Sequence, residues 1–469
     1  MDTTSENGPD ARPARLIDQI RLGVDGIAAW EAGYGPVERH QSLHVPAARS
    51  TEVLDDLVAR LHDNYPFFHP RYAGQMLKPP HPIAVAAYTT AMQINPNAHA
   101  LDGGPATARL ERAAVAALAA MFGFAEHLGH LTSSGTIANL EALFVARALH
   151  PDAGIAFSTE AHYTHGRMCQ VLGIDGYAVP VDRRGRMDLA KLETLLASGR
   201  IGTVVATAGT TGLGAVDPVQ DIVALARRFG VRVHVDSAYG GFFTLLATAP
   251  TPAVAPDPWR AIADADSVVI DPHKHGLQPY GCGAVLFRDP SVGRFYDHDS
   301  PYTYFTSAEL HLGEISLECS RAGAAAAAFW ATLQVFPLAS EAGFGPILQA
   351  CRSAAVHWDE LIGSSAELAV YQDAELDIVT YFDRRGASTS RISATSERLL
   401  HAGMTNPDPV FVSTLTVAAD EFARRHPQVE VDSERVTILR SVLMKPEHEA
   451  AVPWLVSRLT DLVRSVRAD

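Results

Sequence analysis

Ser267-Val-Val-Ile-Asp271-Pro272-His273-Lys274-His275-Gly276 is followed, after Leu277-Gln-Pro-Tyr280-Gly281-Cys282, by Gly283-Ala-Val-Leu-Phe287. The β-branched apolar run Val268 to Ile270 reads as a buried strand ending in a polar turn, and a second apolar strand, Ala284 to Phe287, follows at once. Lys274 therefore sits where a strand stops inside the protein, and buried lysines are rare unless paired or put to use. Apolar surroundings favour the neutral amine, the form that condenses with an aldehyde to a Schiff base. A solvated lysine on a surface turn is the plainer alternative. The choice rests on partners elsewhere in the chain.

Upstream of this stretch, helices alternate with short apolar strands. Helices are expected over Thr107–Met121, Thr136–Ala148, His165–Leu172, Leu189–Ala197 and Pro218–Phe229, and strands close near Thr132, Ser158, Val181, Thr207 and Val235. That alternation means βαβ units and a mostly parallel sheet covered on both faces, with ligands at the carboxyl ends of the strands. Before it lie two helical patterns (Ala14–Ala32, Val53–Asn64) and an aromatic, proline-rich loop from Tyr65 to Pro82. After Gly343-Phe-Gly-Pro346 the rhythm changes. A long helix from Ile347, extended runs over Ala366–Phe382, Phe411–Val417 and Val436–Met444, and a closing amphipathic helix describe a smaller α+β unit. The expected division is 1–105, 106–342 and 343–469.

The residues just after each strand share one logic. Ser133-Ser134-Gly135-Thr136 opens a helix, whose unpaired N–H groups and dipole suit an anion, although capping alone would also use a serine there. His162 follows the next strand; a helix-capping histidine is the common case, and a ring lying against a planar ligand is the other. Gly209-Thr210-Thr211-Gly212 is another turn of donors. Asp236, after Val233-His-Val235, would be a buried carboxylate, which is costly without a positive partner. The small residues Ala238, Gly240 and Gly241 leave room for something flat. Phosphate cradle, stacking ring, carboxylate and amine are together what pyridoxal phosphate requires.

Composition narrows the rest. The chain has 469 residues, 47% hydrophobic and 19% charged, with a formal charge of −15 and no Lys/Arg block, which argues against nucleic acid and anionic membranes as partners. Four dispersed cysteines and the lack of an HExxH motif suit a reducing compartment without a metal site. The start, Met1 to Pro13, is polar, and the alanine-rich stretch from Ala322 to Ala339 reads as a buried helix rather than a membrane span. A cytoplasmic protein is expected.

On the pieces Thr132-Ser-Ser134-Gly135-Thr136, Ala161-His162, Gly209-Thr210-Thr211, His234-Val-Asp236-Ser-Ala238-Tyr239 and Asp271-Pro272-His273-Lys274, the chain resembles the group II pyridoxal-phosphate-dependent amino acid decarboxylases. These have the aspartate aminotransferase fold (fold type I). The Asp-Pro-His-Lys string looks most like the tyrosine/aspartate decarboxylase branch, and the sphingosine-phosphate lyase branch is similar too. The resemblance implies an α/β fold with a mostly parallel sheet, a homodimer with the active site at the subunit interface, and decarboxylation through a Lys274 aldimine and a quinonoid. It gives Asp236 the pyridinium nitrogen and His162 the stacked ring. Ser134, Gly135, Thr136, Thr210, Ala238 and His273 become further cofactor contacts. Tyr302, or else Tyr304, becomes the proton donor on a mobile loop. Gln75, Met76, His275 and Arg321 are implied as substrate contacts, with Arg71, Lys78 and His81 nearby. Ile137 stands where the family usually has Glu, which keeps Cα–Cβ cleavage and transamination open as alternatives. A non-catalytic relative is a further reading.

Overall fold

The computed structural model describes residues 11–99, 101–296 and 316–468. Two helices, α1 (Ala11–Ala32) and α2 (Ala47–Leu61), open the chain. The aromatic loop runs into α3 (Pro82–Met92), a helix to which the sequence reading assigned no element. Pro82 occupies the first turn, where no N–H is needed, and His81 caps it by accepting from the Ile83 N–H (3.2 Å). Prolines broke the loop and then started the helix.

The central sheet has seven strands: β1 (Leu128–Thr132), β2 (Gly154–Ser158), β3 (Gly176–Val179), β4 (Ile201–Thr207), β5 (Arg232–Asp236), β6 (Ser267–Ile270) and β7 (Gly283–Phe287). Their order is β1-β7-β6-β5-β4-β2-β3, with β7 antiparallel to both neighbours and every other pair parallel. β4, β6 and β7 are buried along their whole length, as strands covered on both faces must be. The covering helices include α4 (Pro105–Phe122), α5 (Gly135–Leu149), α6 (Thr164–Leu172), α7 (Leu189–Leu196) and α8 (Val219–Phe229). The alanine-rich stretch is a helix over Gly323–Val335 packed on α3 and α4. No described helix is long and apolar enough to cross a membrane.

The helix Phe344–Ser364 joins two cores. Phe344 and Leu348 belong to that of the large sheet, whereas Trp358 and Ile362 belong to the C-terminal one. Gly343 starts it at φ +58°, and a Cβ there would stand 2.3 Å from the Pro337 carbonyl oxygen. The C-terminal sheet is antiparallel, β10 (Ser413–Ala418), β11 (Arg435–Val442), β9 (Ile378–Asp383) and β8 (Leu368–Gln372) side by side. The single extended run expected over Ala366–Phe382 is thus the hairpin β8–β9.

Candidate active site

A cavity of about 180 Å³ opens at the carboxyl ends of β1, β2, β4, β5 and β6. Ser134, Gly135, Thr136, His162, Asp236, Ala238, His273 and Lys274 all line it. Each reaches it because its strand stops there and the chain turns.

On the α5 side, Ser134 caps the helix, its hydroxyl accepting from the Ile137 N–H (3.4 Å). The amides of Gly135 and Thr136 belong to the first turn and have no partner within the helix. Gly135 must be glycine, since a Cβ would sit 2.6 and 2.8 Å from the Asp271 carboxylate oxygens. The His162 ring is fixed by Thr164, whose N–H donates to Nδ1 (3.3 Å) and whose hydroxyl lies 2.7 Å from it. Burial lowers the His162 pKa below its usual value.

Asp236 lines the cavity from the end of β5. The His165 Nε2 is 2.8 Å from Oδ2, the Asn139 amide donates to the same oxygen (3.3 Å), and the Ala238 N–H donates to Oδ1 (3.1 Å). Burial pushes this carboxyl up, but the His165 hydrogen bond and charge and the Ala238 amide outweigh it and hold the pKa below the usual carboxylate range. Behind it runs a chain of donors. The His234 Nε2–H donates to Asn139 Oδ1 (2.8 Å), and the His234 Nδ1 takes the Ser267 hydroxyl (2.9 Å). Burial drives the His234 pKa down to about 3, so the ring is neutral. His165, Asn139 and His234 escaped the sequence reading as site residues. The available signal was an asparagine among the alanines of an otherwise apolar helix face.

Lys274 Nζ stands 3.1 Å from Asp271 Oδ2. The amine therefore has a carboxylate neighbour three residues back, a partner of the kind that a lysine at an inner strand end needs. His273 packs its ring on Tyr280 at 4.7 Å, and burial lowers its pKa.

Several expected contacts lie elsewhere. The Thr210 hydroxyl accepts from the Ala215 N–H (3.0 Å) and closes its own turn, while Thr211 lines the cavity instead. His275 is fully buried and bonded to Asp377, pointing away from the cavity. Arg321 is engaged by Glu111 (2.9 Å) and by the carbonyls of Ala98 and Leu131. Gln75 is exposed and Met76 packs on the large core, and neither lines the cavity. Arg71 pairs with Asp408, Lys78 donates to the Met444 carbonyl and His81 caps α3. Tyr302 and Tyr304 lie outside the described residues. Arg440, which reaches over from β11 to the carbonyls of Thr211 (2.7 Å) and Gly212 (3.0 Å), was not foreseen.

The donor set fits pyridoxal phosphate. The helix start offers amides and hydroxyls to an anion, Asp236 offers a buried ionised carboxylate, and Lys274 offers an amine. The Nδ1 of His273 is buried without a protein partner on the cavity wall.

Comparison with known proteins agrees. The pyridoxal-dependent decarboxylase conserved domain matches residues 52–381. A probable L-tyrosine/L-aspartate decarboxylase of Methanothrix thermoacetophila is 32% identical over 56% of this chain and 66% of its own length. An L-tyrosine decarboxylase of Enterococcus faecium is 29% identical over 76% of this chain and 75% of its own. The crystal structure of mouse CSAD superposes with a TM-score of 0.76 at 21% identity, over 97% of this chain and 99% of that one, which shows the fold. Matched over most of its length and folded to suit the cofactor, the chain belongs to the pyridoxal-dependent decarboxylases, a family of amino acid carboxy-lyases that work with pyridoxal phosphate.

Proposed function

We propose that the chain decarboxylates an L-amino acid to its amine and carbon dioxide, with tyrosine the first substrate to test. The observation that carries this reading is one small cavity with an amine, Lys274, and a low-pKa carboxylate, Asp236, on its walls beside a helix start. The relatives named for tyrosine, or for tyrosine and aspartate, support the substrate class. Among the described residues Lys274 is the only lysine or arginine on the cavity wall, which favours an uncharged side chain over that of aspartate.

Pyridoxal phosphate, when bound, supplies a ring that draws electrons from the breaking Cα–carboxylate bond. Lys274 would hold the cofactor through its amine, among the described residues the one group on the cavity wall able to bond an aldehyde. Asp236 would favour a proton on the ring nitrogen, since two unit charges about 3 Å apart interact by roughly 5 kcal/mol at an effective dielectric of ~20, before desolvation. The amides of Gly135 and Thr136 and the hydroxyls of Ser134 and Thr136 would hold the phosphate. His162 offers a fixed ring and Ala238 a small side chain to the flat ligand. Tyr302, or Tyr304 after it, returns a proton to Cα.

A homodimer belongs to the same proposal, supported by the uncovered apolar face of α2, as do the division 1–105, 106–342 and 343–469 and a cytoplasmic location, which four free cysteines suit. The test is a panel of L-amino acids offered to the reconstituted protein, with carbon dioxide and amine both measured. Tyramine with matching carbon dioxide is the expected result. Accumulated pyridoxamine phosphate, or an aldehyde from Cα–Cβ cleavage, without carbon dioxide would replace decarboxylation by that reaction. Asp236→Asn should keep the cofactor and lower kcat about 10²–10³-fold.

A further inference from the structure

The segment that follows Lys274 and the segment that follows Asp236 converge on one side chain of the C-terminal sheet. His275 Nε2 lies 2.8 Å from Asp377 Oδ2, and the Tyr239 hydroxyl donates to Asp377 Oδ1 over 2.6 Å. The second ring nitrogen of His275, Nδ1, lies 3.1 Å from the Tyr239 carbonyl oxygen, and the two rings meet edge to face at 4.7 Å. Asp377 is fully buried, and each of its oxygens has one of these partners. Its own carbonyl accepts from the Leu443 N–H (2.8 Å), and it directly precedes β9, a strand paired on both sides. The carboxylate is thereby fixed to the interior of the C-terminal sheet. Burial raises its pKa, and the charge and hydrogen bond of His275, the Tyr239 hydroxyl and the Lys78 charge outweigh burial to bring it below the usual range.

Tyr239 lines the cavity three residues after Asp236, and His275 is the residue next to Lys274. We propose that Asp377 is a positioning residue: holding Tyr239 on one oxygen and His275 on the other, it sets the separation of the segments that carry Asp236 and Lys274. The inference rests on the cofactor roles given above to those two residues. It makes the reaction depend on how the C-terminal sheet is seated, through a side chain that touches neither cofactor nor substrate. A buried pair that merely fastened the C-terminal sheet to the large one would act on stability alone.

The experiment compares Asp377→Asn, His275→Leu, His275→Gln and Tyr239→Phe with the parent, all as holoenzyme. Melting temperature, kcat and KM are measured, with the pH at which the visible absorbance of the bound cofactor titrates. Asp377→Asn and His275→Leu should bind cofactor and lose about 10²-fold in kcat, the cost expected of a misplaced group. KM should change little, and the titration midpoint of the absorbance should move. His275→Gln, which can present an N–H near the Nε2 position, should recover most of the kcat lost in His275→Leu. Tyr239→Phe removes one bond and keeps the shape, and should cost about three- to tenfold in kcat, so the proposal stays testable if Asp377→Asn fails to fold. Variants with lowered melting temperature but parental kcat and parental titration midpoint would overturn the proposal. A parent protein without any borohydride-reducible absorbance would instead overturn the cofactor reading beneath it.

Discussion

Asp236 keeps its charge without a lysine or arginine beside it. The work falls to His165, whose Nε2 is 2.8 Å from Oδ2, and to the amide of Ala238. Because burial alone pushes the carboxyl pKa up, removing the His165 partner should let it rise. In His165→Phe, a ring of similar size beside Phe157, the carboxylate would protonate at higher pH, so the acid limb of kcat/KM should move upward. An unchanged acid limb would mean that Asp236 does not govern it. At this scale the grouping of Lys274, Asp236, His162 and the Ser134–Thr136 turn in one cavity was legible because each lies at the end of a strand or within four residues of it. His165 and Asn139 were not, because they sit inside helices and reach Asp236 only through the way α5 and α6 turn their faces. His275 shows the converse: adjacency to Lys274 suggested the pocket, yet neighbouring side chains in a tight turn diverge, and this one points to Asp377.

Among the described elements, α2 is a helix whose packing the single chain does not explain. Val53, Leu54, Leu57, Val58 and Leu61 recur at helical spacing, all are exposed, and the helix buries no residue at all. A stripe of this kind marks an interaction surface, and the proposed homodimer supplies a second copy to cover it. Losing a buried leucine at such a contact costs about 2 kcal/mol each, and a homodimer of the double variant Leu57→Glu and Leu61→Glu loses both leucines in each copy, so association should weaken by roughly a factor of 10⁶. Light scattering at micromolar concentration should then show a monomer, with activity reduced alongside if the site needs both subunits. A variant that keeps the parental mass would remove α2 from the interface. Periodicity revealed that α2 is a helix, but a hydrophobic stripe names no partner. The hairpin β8–β9 was blurred for a different reason, since Asp373 to Asp377 turns the chain with no glycine or proline to announce it.

For the whole molecule, the alternation of strands and helices was enough to give the parallel sheet and its ligand-binding edge, whereas the way the C-terminal unit seats on it was hidden in long-range contacts. That seam buries Lys445 and His448 together, with Lys78 half-buried beside them. Lys445 donates to the Tyr72 carbonyl (2.6 Å), His448 accepts from the Lys445 N–H and meets the same Tyr72 carbonyl (3.3 Å), and Lys78 donates to the Met444 carbonyl (3.3 Å). Burial, then the Lys445 charge, pushes the His448 pKa from 6.5 down to about 3. Burial, then the Lys78 charge, pushes Lys445 from 10.5 down to about 7. Between pH 6.5 and 3 the unfolded chain binds a proton at residue 448 that the folded chain refuses, so stability falls as the pH falls through that window. Residue 445 does the same between pH 10.5 and 7 and adds no further slope below it. His234 in the site contributes to the acid window as well. Urea midpoints should accordingly decline from pH 6.5 to 4.5, and His448→Gln, which keeps a neutral donor at the seam, should lessen the slope by up to about 1.4 kcal/mol per pH unit. Lys445→Met should flatten the rise from pH 7 to 10 and, by removing a charge that helps to depress the His448 pKa, narrow the acid window from its low-pH end. Identical slopes in His448→Gln and the parent would show that this seam takes up its proton without unfolding.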